Sequence, residues 1–159
     1  MSQQATYTEV KGAGFFRRLG AWLYDLLVLT AIEMLAVGLI MAGFAIALSL
    51  GVSLEGYIDT SDFLSRHPIA SPLFTVYIFA VAMFFYGYFW CKGGQTLGMR
   101  AWKLHMQNTD GSAISPTQAV IRMASSGFGA GNLFVFLSPT NQALQDMVAK
   151  CHVIKSDKL

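Results

Sequence analysis

The stretch FFRRLGAWLYDLLVLTAIEML, from Phe15 to Leu35, is apolar enough to enter a lipid bilayer and nevertheless contains charged side chains. Three of these charges, on Arg18, Asp25 and Glu33, lie within or beside the apolar run. An ionisable side chain in hydrocarbon costs at least about 2.5 kcal/mol, and it usually faces a partner or a water-filled cavity. These charges therefore mark the part of the chain on which its function is expected to depend.

The composition of the whole chain also predicts a membrane protein. Of 159 residues, 54% are hydrophobic and 13% are charged, and the mean hydropathy is +0.48. Soluble domains contain roughly 25% charged residues. A net charge of +2 is too small to indicate nucleic-acid binding. The two cysteines, Cys91 and Cys151, fit no zinc-site spacing and are expected to be free thiols.

Three apolar segments predict an all-α membrane protein, built as a small bundle of about three transmembrane helices. The first segment covers residues 19–50; at about 1.5 Å per residue it exceeds a hydrocarbon core of about 30 Å, so it is expected to be tilted, broken or partly interfacial. The second covers residues 72–90 and contains no charge. The third covers residues 119–137 and is interrupted by serines and glycines. It either spans the membrane or re-enters it as two half-helices.

Basic residues lie before the first segment and after the second: Lys11, Arg17, Arg18, Lys92, Arg100 and Lys103. The connection over residues 51–71 has Arg66 as its one Lys or Arg. The positive-inside rule therefore predicts that both ends of this helical hairpin face the cytoplasm. Residues 1–14 are predicted to form a flexible cytoplasmic N-terminal tail, and residues 15–155 a single membrane domain.

Local signals predict a small amount of extended structure outside the apolar segments. Residues 100–115 are interpreted as a short cytoplasmic β-hairpin or loop, because apolar residues alternate before a turn signal at 108–111. Ser115, followed by proline and then by Gln118, predicts a capped helix start. Residues 151–154 are a second candidate strand.

The charged residues of the first segment require partners from elsewhere in the chain. Arg18 and Asp25 are seven residues apart, so they lie on one helical face but about 10 Å apart along the axis. Candidate partners for Asp25 are Arg100 and Arg122, which are both expected near the cytoplasmic face. Glu33 lies roughly 12 Å deeper than Asp25, where a carboxyl group could exchange a proton for a cation.

No motif in the sequence indicates an enzyme. GGQTLGMR, residues 93–100, lacks the Gly-Lys-Ser/Thr ending of a phosphate-binding loop, and the glycines at 127–131 do not form a dinucleotide fingerprint. The three histidines are scattered without ligand spacing. The expectation is a protein with no catalytic residues, no metal and no cofactor.

Several short motifs, taken in order, resemble the RDD family of small bacterial membrane proteins. They are R-x-x-A-x-x-x-D at 18–25, G-Q-T-L-G-M-R at 94–100, D-G at 110–111, Q-A-x-x-R at 118–122 and S-P-x-x-x-A-L-x-D-x-x-A at 138–149. The resemblance covers residues 14–154. The ordered set is more specific than any one motif.

The family takes its name from one arginine and two aspartates. The resemblance implies that Arg18 is the arginine and Asp25 the first aspartate, with Asp146 or Asp110 as the second. It also implies a multi-pass protein of the bacterial cytoplasmic (inner) membrane, and some members are implicated in alkali-cation/proton exchange. The chain departs from the family in its short, Gly-rich third segment and in Gln145, which replaces the usual histidine.

The candidate site residues are Arg18, Asp25, Glu33, Arg100, Arg122 and Asp146. In one hypothesis they line a route for a proton or a monovalent cation through a homo-oligomer, because one copy has too few spans to enclose a pathway. In the alternative, the charges are a structural clamp within a membrane scaffold or accessory subunit that docks partners on residues 92–115. Lipid sensing by the basic face is a third hypothesis. All three place the chain in contact with the lipid bilayer.

Overall fold

The computed structural model of the chain describes residues 12–155, except for the side chain of Phe128. The elements in chain order are α1 (Phe15–Ser49), α2 (Thr60–Arg66), α3 (Ala70–Gly93), α4 (Leu97–Ala101), β1 (Leu104–Asn108), α5 (Pro116–Ser126), a 3₁₀ segment (Gly127–Phe136), α6 (Leu144–Val148) and β2 (Cys151–Lys155). They fall into two compact units. The first contains residues 12–28 and 85–155, and the second contains residues 29–84.

Helices α1 and α3 are long and apolar enough to cross a membrane, as the hydropathy of the sequence predicts. Large apolar side chains are exposed along both helices, among them Leu27 at 73% and Val76 at 63%. A surface of this kind is unfavourable in water and matches the acyl region of a bilayer. With 35 residues, α1 is about 50 Å long, so it extends beyond the hydrocarbon core.

The second unit is a helical hairpin closed by α2. Asp59 caps α2 by accepting a hydrogen bond from the backbone N–H of Asp62. Within the hairpin, the Tyr77 hydroxyl donates to the backbone carbonyl of Ala36 at 3.3 Å. That bond satisfies a half-buried hydroxyl between two otherwise apolar helices.

The first unit is built around a two-stranded antiparallel sheet. Strand β1 pairs with β2 in a register that places Leu104 opposite Lys155 and Asn108 opposite Cys151. Both predicted strands are confirmed, but β1 pairs with the C-terminal strand and not with residues 109–115 as a hairpin would require. The reason is burial, since the alternate apolar residues of both strands join one core: Leu104, Met106, Cys151 and Val153.

The third apolar segment does not form one straight helix. Helix α5 ends at Ser126, its C-cap Gly127 adopts the left-handed conformation, and the following 3₁₀ helix is bent by 80° from α5. Ser125 and Ser126 direct their hydroxyls back to carbonyls of the preceding turn, a contact that often bends helices. The pairing of β1 with β2 favours the re-entrant alternative, because a single crossing between residues 109 and 150 would place the two strands on opposite sides.

Residues 12–14 differ from the flexible tail predicted for residues 1–14. The N–H groups of Gly12 and Ala13 donate to the carbonyls of Thr140 and Val153 at 2.9 and 2.8 Å. The beginning of α1 is therefore fixed beside β2. Residues 1–11 lie outside the described residues.

Candidate functional site

Asp146 joins two arginines from distant parts of the chain in the interior of the first unit. Its carboxylate accepts from Arg18 Nη2 at 2.6 Å and forms a second ion pair with Arg122 Nη1. Arg18 lies in the first turn of α1, Arg122 in α5 and Asp146 in α6. All three side chains are buried, and Asp146 is 0% exposed. These three residues are called the Arg–Asp–Arg cluster below.

Arg18 also holds backbone that lies outside any helix. Its Nε donates to the carbonyl of Ala13 at 2.8 Å, and Nη2 lies 3.3 Å from the carbonyl of Asn141. The fork geometry of a guanidinium allows one arginine to satisfy several acceptors at once. Arg18 thus connects the start of α1 to the loop before α6.

Arg122 is enclosed by groups that suit a buried guanidinium. Its Cζ lies 5.1 Å from the centre of the Trp90 ring, within the range of a cation–π interaction. Nη1 lies 3.4 Å from Cys151 Sγ. Burial raises the pKa of the Cys151 thiol, so Cys151 acts here as a neutral, free thiol.

The ionisation of Asp146 follows from its two partners. Burial by itself would raise the pKa of Asp146, but the guanidiniums of Arg122 and Arg18 outweigh it and hold the pKa below its ordinary value. Two cations and one anion leave a net positive charge within the cluster. Two donors, Arg18 Nη1 and Arg122 Nε, are buried without a hydrogen-bond partner among the described residues.

Asp25 is bonded to neutral donors at the beginning of α4. Its two carboxylate oxygens accept from the Thr96 hydroxyl at 2.5 Å and from the Gly98 N–H at 2.8 Å. Thr96 Oγ1 in turn accepts from the N–H of Met99 and so caps α4. The prediction that Asp25 needs a partner from another segment is confirmed. The prediction of Arg100 or Arg122 as that partner is wrong, because the bonded groups are a hydroxyl and a backbone amide.

Gly98 is required where α4 meets α1. A Cβ at this position would overlap the carbonyl oxygen of Ala21 and the carboxylate of Asp25. Ala21 is itself buried at the same contact. The motifs at 18–25 and 94–100 therefore contact each other directly. Ala21 and Gly98 let the two backbones approach, and Asp25 bonds across the contact.

The other predicted site residues are not part of the Arg–Asp–Arg cluster. Arg100 is exposed in the last turn of α4. Asp110 is exposed in a turn. Hydrogen bonds from Ser112, mainly from its hydroxyl and also from its backbone N–H, lower the pKa of Asp110. Glu33 belongs to the second unit, and its Oε2 is buried without a hydrogen-bond partner in the described part of the chain. Of the two candidates for the second family aspartate, Asp146 is the one that meets Arg18.

Some residues of the site were not predicted from the sequence. Thr96 and Gly98 lie in the family motif at 94–100 but were not predicted as site residues, although Thr before Leu-Gly is also a helix-cap signal. Gln145 is buried beside Asp146, and its Nε2 donates to Asn132 Oδ1 at 2.8 Å. That contact ties α6 to the 3₁₀ segment, and no local pattern in the sequence signals it.

The apolar helices and the buried ion pairs define a membrane protein whose buried arginines are paired with an aspartate of the same chain. Residues 12–150 match the RDD family, and the chain belongs to that family. RDD proteins are membrane proteins, in agreement with the two long apolar helices. No match to the chain was found among curated proteins or among solved structures.

Proposed function

We propose that this RDD protein is a non-enzymatic scaffold or accessory subunit of the membrane, in which the arginine–aspartate set is a structural clamp. The observation that carries the proposal is the position of Asp146, which forms ion pairs with both Arg18 and Arg122 at a fully buried point. A group that carries ions has to exchange partners during transport. A carboxylate bonded on both oxygens to arginines is suited to holding elements together.

The contacts around the cluster support this role. Arg18 bonds the backbone carbonyls of Asn141 and Val153, which lie on either side of α6, and Arg122 is packed on Trp90 near the end of α3. Asp25 bonds the beginning of α4 in the same manner. The clamp thus fixes the segments after residue 92 to the ends of α1 and α3, where a partner membrane protein could dock on residues 92–115.

The proposed location is the bacterial cytoplasmic membrane, with the N-terminus of the chain in the cytoplasm. Support comes from the basic residues near the start of α1 and near the end of α3. The loop that connects the two helices has a single arginine by comparison. The hydrogen bond from Ala13 to Val153 supports a C-terminal strand on the same side as the start of α1. Cysteine labelling from either side of the membrane tests this orientation in the variant Cys91→Ser, Ser156→Cys, with Cys91→Ser alone as the control for the buried Cys151.

A flux assay tests the scaffold proposal. Purified protein in liposomes, with a pH-sensitive dye inside, is exposed to gradients of Na⁺, K⁺ or Li⁺. The scaffold proposal predicts proton flux equal to that of protein-free liposomes. Cation-dependent flux that requires the protein would overturn it.

One observation favours a second candidate function, cation/proton exchange. Glu33 is an acid inside α1 with one carboxylate oxygen buried and unpartnered among residues 12–155. Two or three spans do not enclose a pathway, so this candidate requires a homo-oligomer. Gly43 faces open space on the same helix, which allows the close approach of a second copy.

The variant Glu33→Gln separates the two candidates. Exchange through Glu33 predicts that the variant loses flux, whereas the matched variant Glu55→Gln, which removes the same charge from an exposed loop, keeps it. Flux that is unchanged in Glu33→Gln would eliminate Glu33 as a carrier. A monomer in the membrane, measured by single-molecule photobleaching, would contradict the oligomer that this candidate needs.

A further inference from the structure

The turn that leads into α3 is capped by the imidazole ring of His67. Ring Nδ1 accepts hydrogen bonds from the backbone N–H groups of Ile69 and Ala70, at 3.2 and 3.1 Å. The His67 carbonyl accepts from the N–H of Ser71 at 3.0 Å. Pro68 favours the extended backbone of His67, whose φ and ψ are −67° and 129°. His67 thus takes the N-cap role, which serine, threonine, asparagine or aspartate usually has.

The cap requires a neutral imidazole ring. A neutral ring has one acceptor nitrogen, and the bonds to Ile69 and Ala70 assign that role to Nδ1, with the proton on Nε2. A protonated ring carries a hydrogen on both nitrogens and accepts nothing. Its positive charge would also lie at the positive end of the α3 dipole. Protonation of His67 therefore removes two hydrogen bonds and adds repulsion at the same point.

The surroundings of the ring offer a protonated His67 no ion pair. The ring lies against Phe63 and Tyr57, with ring centres 4.6 and 5.9 Å apart. The carboxylate of Asp62 is paired with Arg66 at 3.1 Å. Within residues 12–155, no carboxylate forms an ion pair with His67. Besides His67, the ionisable side chains between α1 and α3 are Glu55, Tyr57, Asp59, Asp62 and Arg66.

The sequence contains a second helix-start signal one turn further on. Ser71 is followed by Pro72, as His67 is followed by Pro68. Serine is a strong N-cap residue, and proline is favoured at the first helical position. In the present arrangement Pro72 lies inside α3, where it has no N–H to donate to the carbonyl of Pro68. The turn at 68–71 therefore lacks one of its bonds and depends on the cap from His67.

We propose that protonation of His67 moves the start of α3 by one turn, from the cap at His67 to a cap at Ser71. The neutral ring holds the longer helix. When the ring is protonated, the turn at 68–71 unwinds, and the Ser71 hydroxyl accepts from the N–H of Phe74 at the third helical position. Two arrangements of one segment that differ little in free energy form a switch.

An unwound turn separates α2 from the rest of α3 at acid pH. In the orientation proposed above, this loop faces away from the cytoplasm, so the switch responds to acidity on that side of the membrane. The switch rests on the proposed orientation only for the side that it senses. It is independent of whether the protein is a scaffold or an exchanger, so its test and the flux assay fail separately.

Magnetic resonance of the full chain in detergent micelles tests the switch. Protein labelled with ¹⁵N-histidine and ¹³C-isoleucine is measured from about pH 8 to about pH 5, the range in which histidine usually changes charge. At the upper pH, His67 should carry its proton on Nε2 and the Cα shift of Ile69 should be helical. At the lower pH, the ring should be protonated and the Ile69 shift should fall to an unstructured value.

Three results would overturn the proposal. They are a proton on Nδ1 in place of Nε2 at the upper pH, a ring that stays neutral at the lower pH, and a helical Ile69 beside a protonated His67. The variants His67→Asn and Ile69→Val assign the two signals.

Variants separate the cap from the titration. His67→Asn supplies a cap that does not change charge, so Ile69 should stay helical over the whole range. His67→Ala supplies no cap, so the Ile69 shift should be unstructured at both ends. Pro72→Ala restores the missing N–H and should reduce the ratio of unwound to helical protein at the lower pH at least about tenfold.

The control is His105→Gln, which removes a histidine of β1 and should switch as the wild type does. A pH-dependent Ile69 shift in His67→Asn equal to that of the wild type would refute the role of His67. A helical Ile69 in His67→Ala would show that the turn does not need the cap.

Discussion

Replacing Asp146 by asparagine tests how strongly the buried charges depend on one another. The variant keeps the shape of the side chain and removes its charge, so Arg18 and Arg122 lose the carboxylate that both contact. Removing one partner of a buried ion pair costs about 3–5 kcal/mol, because the remaining charge stays buried. For a chain of this size, each kcal/mol lost from the unfolding free energy lowers the unfolding midpoint by about 2–4 °C. The midpoint of the variant should therefore fall by about 6–20 °C.

The assay is thermal unfolding in detergent micelles, followed by tryptophan fluorescence. Trp90 is a suitable reporter because it lies against the Arg122 guanidinium. The control is Asp110→Asn, which makes the same chemical change at an exposed turn and should alter stability by less than about 0.5 kcal/mol. A midpoint for Asp146→Asn within about 2 °C of the wild type would refute the reasoning.

The same assay against pH gives a second test of Asp146. Its pKa in the folded protein is below the ordinary value of 3.8, so on acidification the unfolded chain takes up the proton first. The stabilisation from the ion pairs is therefore complete above about pH 5 and is lost as pH falls through the folded pKa. Asp146→Asn should lack this part of the acid destabilisation, and an unchanged acid profile would contradict the pairing.

Three further predictions concern the contacts around the cluster. Gly98→Ala should destabilise the protein by about 1–3 kcal/mol through overlap with α1, whereas Gly93→Ala, which meets open space, should not; equal midpoints for the two variants would count against the close contact. Thr96→Val removes the hydroxyl bonded to Asp25 and should cost about 1–3 kcal/mol, while Thr96→Ser should unfold close to the wild type. Arg122→Lys keeps the charge but loses the planar fork, so a drop of about 1–3 kcal/mol is expected, and a wild-type melt would show that charge alone suffices.

Much of the fold was predictable because its signals are local. The runs that became α1 and α3 are apolar over more than the thickness of a bilayer, and Ser115 with Gln118 forms the capping box that the sequence indicates. Arg18 and Asp25 share a buried helical face, as their seven-residue spacing requires. In each case, neighbouring residues determine the outcome.

The partners of the buried charges were not predictable in the same way. Burial requires that Asp25 have a partner, but it does not decide between an arginine and a pair of neutral donors. The bond from Thr96 joins positions 71 residues apart. Similarly, the alternation in β1 predicts a strand without indicating that β2 is its neighbour. Such long-range choices depend on how the helices pack, which no short motif records.

The most direct test of the clamp is the coupling energy between Arg122 and Asp146. Thermal and denaturant unfolding would be measured for Arg122→Met, Asp146→Leu and the double variant. Residues in one buried ion-pair network couple by about 0.5–3 kcal/mol. The loss of unfolding free energy in the double variant should therefore be smaller than the sum of the two single losses by at least about 1 kcal/mol. Losses that add to within about 0.5 kcal/mol would show that the two charges do not stabilise each other in the folded protein.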